Sequence, residues 1–370
     1  MYALTGSAFY LGLVGLAQFL PMFVLTLVVG HVADSYDRRG IVRACQLVEA
    51  LGTGLLAATC FMGRLDKESI LAIVFAIGAA RAFEGPTMQS LMPALVSVED
   101  FPRAAAWSAS AFQVATIVGP ALGGLVYALS ASGVFASASL LYLAACVLIS
   151  IAKIQGKPPK REVTTLRSVF AGIAFIRERQ VILGAISLDL FAVLLGGATA
   201  LLPIYARDIL KTGAWGLGLL RSAPAIGALA ISLFLARRPL RRRVGRTMFL
   251  AVAVFGLATI VFAVSRSFAL SLCALVLLGG SDVISVVIRQ SLVQLQTPDE
   301  MRGRVSAVNS MFIGTSNQLG EFESGITAAW FGTVPAVLIG GIGTLAVVGL
   351  WIRLFPKLAK ADRIGPDETA

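Results

Sequence analysis

Eleven apolar stretches, at 9–31, 42–62, 69–92, 103–128, 134–153, 180–203, 214–236, 247–264, 269–294, 304–331 and 334–355, follow one another with short polar joints between them. Each is close to the ~20 residues that carry an α-helix across a hydrocarbon layer. In lipid every backbone amide and carbonyl must be satisfied within the protein, so a run of such stretches folds as a bundle of membrane helices. Composition agrees, since 57% of the 370 residues are hydrophobic and 14% charged, against about a quarter charged in soluble domains. No length is left for a separate soluble domain.

The chain also matches itself. Displaced by 201 residues, Gln89-Ser90-Leu91 falls on Gln290-Ser291-Leu292, Glu99 on Glu300, Arg103 on Arg304 and Ala106 on Ala307, with the apolar stretches in the same register. Two copies of one membrane unit is the expectation, a construction common among transporters. The second copy has six stretches and the first has five. Stretch 180–203 maps to positions before Met1, which predicts a twelve-helix architecture whose first helix is missing from this sequence. The expected organisation is a helix bundle over 1–153, a linker over 154–179, a six-helix bundle over 180–355 and a tail over 356–370. In the linker, Leu166, Val169, Phe170 and Ile173 recur at helical spacing opposite Arg167, Ser168 and Arg177, which predicts an amphipathic helix on the membrane surface.

A net charge of +11 suggests nucleic acid in a soluble protein, but here its placement excludes that reading. Alternate joints carry twenty-three of the 31 Lys and Arg residues, the opposite joints carry five, and Arg81, Arg221 and Arg289 lie inside stretches. Positive charge stays on the cytoplasmic side of a bacterial inner membrane, so the C-terminus is expected inside and the visible N-terminus outside. Cys45, Cys60, Cys146 and Cys273 sit in apolar stretches without paired spacing, so neither a disulfide framework nor a metal site is expected. The sole histidine, His31, lies at a joint, and no H-E-x-x-H, P-loop or C-x-x-C pattern is present. The chain therefore offers no catalytic set, no cofactor site and no route to ATP hydrolysis. An intramembrane aspartyl protease built on Asp189 and Asp282 lacks the flanking glycine motifs it would need.

Ionisable residues at mid-membrane depth are costly and face a partner or a wet cavity. Arg81, Glu84, Asp189, Asp282 and Arg289 are the candidates for proton coupling or substrate contact. Arg81 and Asp282 differ by 201, so opposite charges occupy equivalent places in the two copies. Glu49, Arg221, Glu321 and Glu323 lie nearer stretch ends or on peripheral helices and rank behind. After the first stretch comes the charged turn Gly30-His31-Val32-Ala33-Asp34-Ser35-Tyr36-Asp37-Arg38-Arg39-Gly40. In the fourth, Gly119-Pro120-Ala121-Leu122-Gly123-Gly124 places helix-weakening residues mid-span, where small size permits close helix approach.

These motifs resemble the major facilitator superfamily. The turn is similar to that family's G-x-x-x-D-[RK]-x-G-R-[RK] loop through Gly30, Asp34, Arg38 and Arg39, with Ser35 and Asp37 departing from it. The glycine–proline run is similar to its antiporter motif, and Arg81 to Gly85 to its R-x-x-x-G motif, which is linked to proton transfer. The resemblance implies two pseudo-symmetric bundles working by alternating access, with Gly30, Asp34, Asp37, Arg38 and Arg39 forming a conformational latch. It further implies a monomeric exporter, of the branch that handles siderophores and macrolides, moving a small amphiphilic molecule against protons with the proton gradient as energy source. An importer, or an inactive membrane protein lacking one helix, is the alternative.

Overall fold

The computed structural model describes residues 1–97, 99–152, 166–238, 240 and 242–362, without the side chains of 26–28, 30, 31, 33–35, 166–169, 299 and 307. Its elements are helices throughout. After a single turn at Tyr2–Thr5 come α1 (Ala8–Ser35), α2 (Arg38–Phe61), α3 (Lys67–Leu95), α4 (Phe101–Leu129) and α5 (Ala131–Ile151). Then follow α6 (Leu166–Glu178), α7 (Gln180–Leu195), α8 (Gly213–Arg237), α9 (Val244–Val264), α10 (Phe268–Leu295), α11 (Asp299–Phe331), α12 (Thr333–Leu354) and the short α13 (Pro356–Lys360).

Local chemistry sets the starts and stops. Asp37 caps α2 by accepting from the backbone amides of Arg39 and Gly40, Asp66 caps α3 through the Ser69 amide, and Ser130 caps α5 through the Gly133 amide. Beyond α7 the chain runs through a 3₁₀ turn at Ala198–Leu201 and a π-helical turn at Tyr205–Ile209 before α8 begins. Gly196 and Gly197 mark that break, where a Cβ on Gly196 would strike the Phe255 ring and one on Gly197 the Gly320 carbonyl.

Ten helices among the described residues are long and apolar enough to cross a membrane. Stretch 304–331 is the difference from the sequence expectation. It forms most of α11, which is 33 residues long, but Arg302, Arg304, Asn309, Asn317, Glu321 and Glu323 keep that helix too polar to count by composition. Large apolar side chains are displayed outward, including Phe112, Leu141 and Trp330, and α4 buries none of its side chains. A soluble protein could not tolerate that surface; a lipid-facing one requires it.

The chain divides into two compact units, one of Met1–Gly6 with Leu13–Thr164 and one of Ser7–Gly12 with Thr165–Ala370. In the first, α2 packs against α3 and α5, with Leu56, Ile70, Ile73 and Ile77 in one buried cluster and Val42, Leu91 and Ile149 in another. In the second, α9 packs against α10 and α12, and α8 against α10. The internal repeat has a physical counterpart at Gly78 and Gly279, which differ by 201. A Cβ on Gly78 would lie 2.8 Å from the Gln18 carbonyl oxygen of α1, and one on Gly279 would collide with the Pro224 carbonyl of α8. Both glycines allow two backbones to cross at a distance no side chain permits.

Two features of the second unit lie beyond the spans. The amphipathic α6 turns Ile173 and Ile176 into a cluster with Ile182 and Ile186 of α7 and Val305 and Val308 of α11, while Phe170 stays exposed. Of the face expected to meet lipid, Ile173 packs on protein and Phe170 does not. At the other end, Leu358 of α13 is fully buried against α7 and α9. The chain beyond it caps α9: the Arg243 amide donates to Asp362 Oδ1 at 3.0 Å and the Gly245 amide to the Ala361 carbonyl at 2.9 Å. Arg243 itself sits at φ 56°, a left-handed conformation that side chains disfavour. Residues 154–165 of the linker and 363–370 of the tail lie outside the described residues.

Candidate functional site

In the second unit, Asp189 of α7 and Asp282 and Arg289 of α10 come together. Asp189 stands two turns before the break in α7 at Gly196, and Asp282 and Arg289 are seven residues apart, two turns along one helix face. Arg289 Nη1 lies 3.0 Å from Asp189 Oδ2, with the two side chains only 2% and 6% exposed. The same nitrogen donates to Asn309 Oδ1 of α11 at 3.4 Å. Arg289 Nε is buried without a partner, and so is Ser285 Oγ.

Asp282 is half-buried on the far side of a cavity that it shares with Asp189, Ser281 and Ser285, walled by Val252 and Phe255 of α9. The cavity measures about 10 Å³, the room of a single water molecule. Two carboxyl groups thus line one small cavity, and one of them is paired with the Arg289 guanidinium. A buried set of this kind is neutral when one carboxyl carries a proton, and excess charge is strongly disfavoured away from water. The arrangement can therefore hold and release a proton.

In the first unit, Arg81 and Glu84 of α3 meet Glu49 and Gln46 of α2 and Tyr142 of α5. Arg81 Nε donates to Glu49 Oε1 at 3.2 Å and Arg81 Nη2 to the Tyr142 hydroxyl at 3.2 Å. Gln46 Nε2 donates to Glu84 Oε1 at 3.2 Å, and the Glu84 carboxyl lies within hydrogen-bonding reach of Glu49. Glu49 is 1% exposed while Arg81 is half-exposed at 54%. Glu49 ranked behind on sequence because its stretch end hid which helix face it occupies; its burial against Arg81 makes it central here. Asn309, Ser285, Gln46 and Tyr142 were not singled out at all. Uncharged polar residues in an apolar span give no depth cost to notice, and only the 201-residue match of Ser285 with Glu84 could have flagged one of them.

The expected latch is placed unevenly. Gly30 and Asp34 belong to the last turns of α1, and their side chains lie outside the described residues. Asp37, which departs from the family pattern, is the N-cap of α2. Arg39 Nε donates to the Ile149 carbonyl at the end of α5 at 2.8 Å, and Arg38 Nη1 to the Ser90 carbonyl of α3 at 3.3 Å. Both arginines thus reach backbone carbonyls within their own unit, Arg39 in the last turn of α5, where positive charge is favoured. Pro120 sits inside α4 without ending it, and a Cβ on Gly119 or Gly123 would meet nothing within 4 Å. Gly124 follows on the same helix. Gly119 and Gly123 are not needed for packing inside the first unit.

Residues 1–368 match the family described as transmembrane secretion effectors. Among curated relatives, the enterobactin exporter of Shigella boydii serotype 4 is 25% identical over 374 residues, covering 97% of this chain and 87% of the exporter. The enterobactin exporter of Escherichia coli O1:K1 is 25% identical over 362 residues, covering 94% of this chain and 84% of the exporter. Among solved structures, the nucleoside transporter NupG is similar with a TM-score of 0.68 at 15% identity, over 94% of this chain and 91% of NupG. An inward-facing bacterial homologue of the iron transporter ferroportin is similar with a TM-score of 0.68 at 17% identity, over 95% and 90% of the two chains.

Proposed function

The chain belongs to the transmembrane secretion effector family of major facilitator transporters, and on that footing we propose that it carries a small amphiphilic compound out of the cytoplasm in exchange for protons. It is a multi-pass membrane transporter, not an enzyme. The observation that carries the proton step is the pair of carboxyl groups, Asp189 and Asp282, lining one water-sized cavity, with Arg289 paired to Asp189. Asp189 stays with Arg289. Asp282, with no ion pair among the described residues, takes the proton.

A cavity of about 10 Å³ is far below the roughly 300–1,000 Å³ of a drug-sized ligand site. Coupling at Asp282 and substrate binding are therefore separate tasks on this reading. A proton on Asp282 removes a charge from the interior, which lowers the cost of the rearrangement that exposes the site to the opposite side. Loss of the proton there restores the charged form, and the cycle runs as alternating access of two bundles joined by the 154–179 linker. The enterobactin exporters among the relatives support a siderophore-like substrate, and the glycine–proline motif of α4 supports export over import. The basic joints support a cytoplasmic C-terminus.

The test is efflux of a catecholate siderophore panel from cells and from proteoliposomes with an imposed pH gradient. Wild-type efflux should collapse with an uncoupler. Asp282→Asn should insert normally yet lose gradient-driven efflux, and unchanged uncoupler-sensitive efflux in that variant would overturn the assignment.

A further inference from the structure

The first unit buries a carboxylate oxygen that nothing among the described residues binds. Glu49 Oε1 is taken by Arg81, but Glu49 Oε2 is buried without a partner. Beside it the Gln46 side chain, 5% exposed, donates to Glu84 while its own Oε1 is also buried and unpartnered. Acceptors outnumber donors at this spot, and a buried acceptor left empty is disfavoured. The missing element is a hydrogen.

We propose that Glu49 and Glu84 share one exchangeable proton, making this cluster a proton-binding site of the first unit additional to the Asp189–Asp282 pair of the second. Three observations converge. A proton on Glu49 Oε2 turns an orphaned acceptor into a donor beside the neighbouring Glu84 carboxyl. With that proton, Glu49, Glu84 and Arg81 sum to zero charge, as an apolar bundle demands. The repeat places the same arithmetic in both units: Arg81 and Glu84 of α3 stand where Asp282 and Ser285 stand on α10, both pairs differing by 201, and each unit sets two acids against one arginine. The ionisable groups around Glu49 among the described residues are Cys45 on its own helix, Arg81 and Glu84 of α3, and Tyr142 of α5 behind Arg81. Of these, Arg81 is the only cation.

The inference deepens the proton-driven reading above, and its readout does not require transport. Infrared spectra of the purified full-length protein, in H2O and D2O across a pH titration, report the C=O stretch of each protonated carboxyl. Two exchangeable contributions are expected at neutral pH, one abolished by Asp282→Asn and one that survives it. The surviving one should vanish in Glu49→Gln and equally in Glu84→Gln, because either leaves one acid balanced by Arg81. In Arg81→Met, with two acids and no cation, it should persist to higher pH. Loss in only one of the two glutamine variants would assign the proton to a single residue and overturn the shared site; loss in neither would overturn the site altogether. Should the glutamine variants not be recovered folded, Asp282→Asn protein alone decides, since absence of any remaining protonated-carboxyl signal refutes the proposal. Failure of gradient-driven efflux to depend on Asp282 would instead strike the coupling reading while leaving this spectrum unaltered.

Discussion

Arg289 is a bulky cation sealed at 2% exposure, and its environment dictates what substitution will do. Removing one member of a buried ion pair strands the other charge, so Arg289→Met should cost about 3–5 kcal/mol of stability. Replacing both, as Asp189→Leu with Arg289→Met, should recover most of that loss while abolishing proton-driven efflux; thermal unfolding in detergent and a transport assay separate the two. Asp66 behaves differently because it is exposed. Its oxygens accept from the Ser69 amide at 2.7 Å and the Ser69 hydroxyl at 2.9 Å, and these bonds hold its carboxyl below the usual carboxylate range. A depressed value contributes stability above the ordinary carboxylate range, and the contribution fades as the pH falls through the lowered one. Asp66→Ala protein should therefore unfold earlier than wild type at neutral pH, with the gap closing in acid.

Helices meet here through backbone proximity as much as through side chains. Gly279→Ala places a methyl group against the Pro224 carbonyl and should destabilise the α8–α10 crossing by about 1–3 kcal/mol, whereas Gly119→Ala, which meets open space within its unit, should leave unfolding unchanged. An effect of Gly119→Ala on transport alone would assign that glycine to the cycle and not to the fold. Helix positions were legible from apolar length because lipid enforces it, and caps such as Asp37 and Asp66 stand where a charged joint meets a span. The partners of Arg81 and Arg289 were not, since Glu49 and Asp189 lie 32 and 100 residues away and periodicity carries no information on which helices touch. The packing of α6 was not legible for a related reason: an apolar stripe states that a face is covered, not which of its residues meet Val305 and Val308.

The molecule as a whole repeats one design twice, and the register of that repeat, read from residues such as Gly78 and Gly279, locates the same close crossing in each copy. The basic joints predict a topology open to direct check. A cytoplasm-active reporter inserted at Arg238 should work and one at Lys211 should not, with the reverse for a periplasm-active reporter; the opposite pattern would invert the proposed direction of transport. The cap on α9 has a consequence for how such a chain is made. The amide of Arg243 finds its acceptor 119 residues downstream, so synthesis proceeds for three further membrane helices while that turn stands open. A nascent chain arrested before Asp362 emerges should carry a protease-sensitive site at Arg243 that the released polypeptide lacks, which makes the tail the closing stitch of a bundle assembled from the ribosome outward.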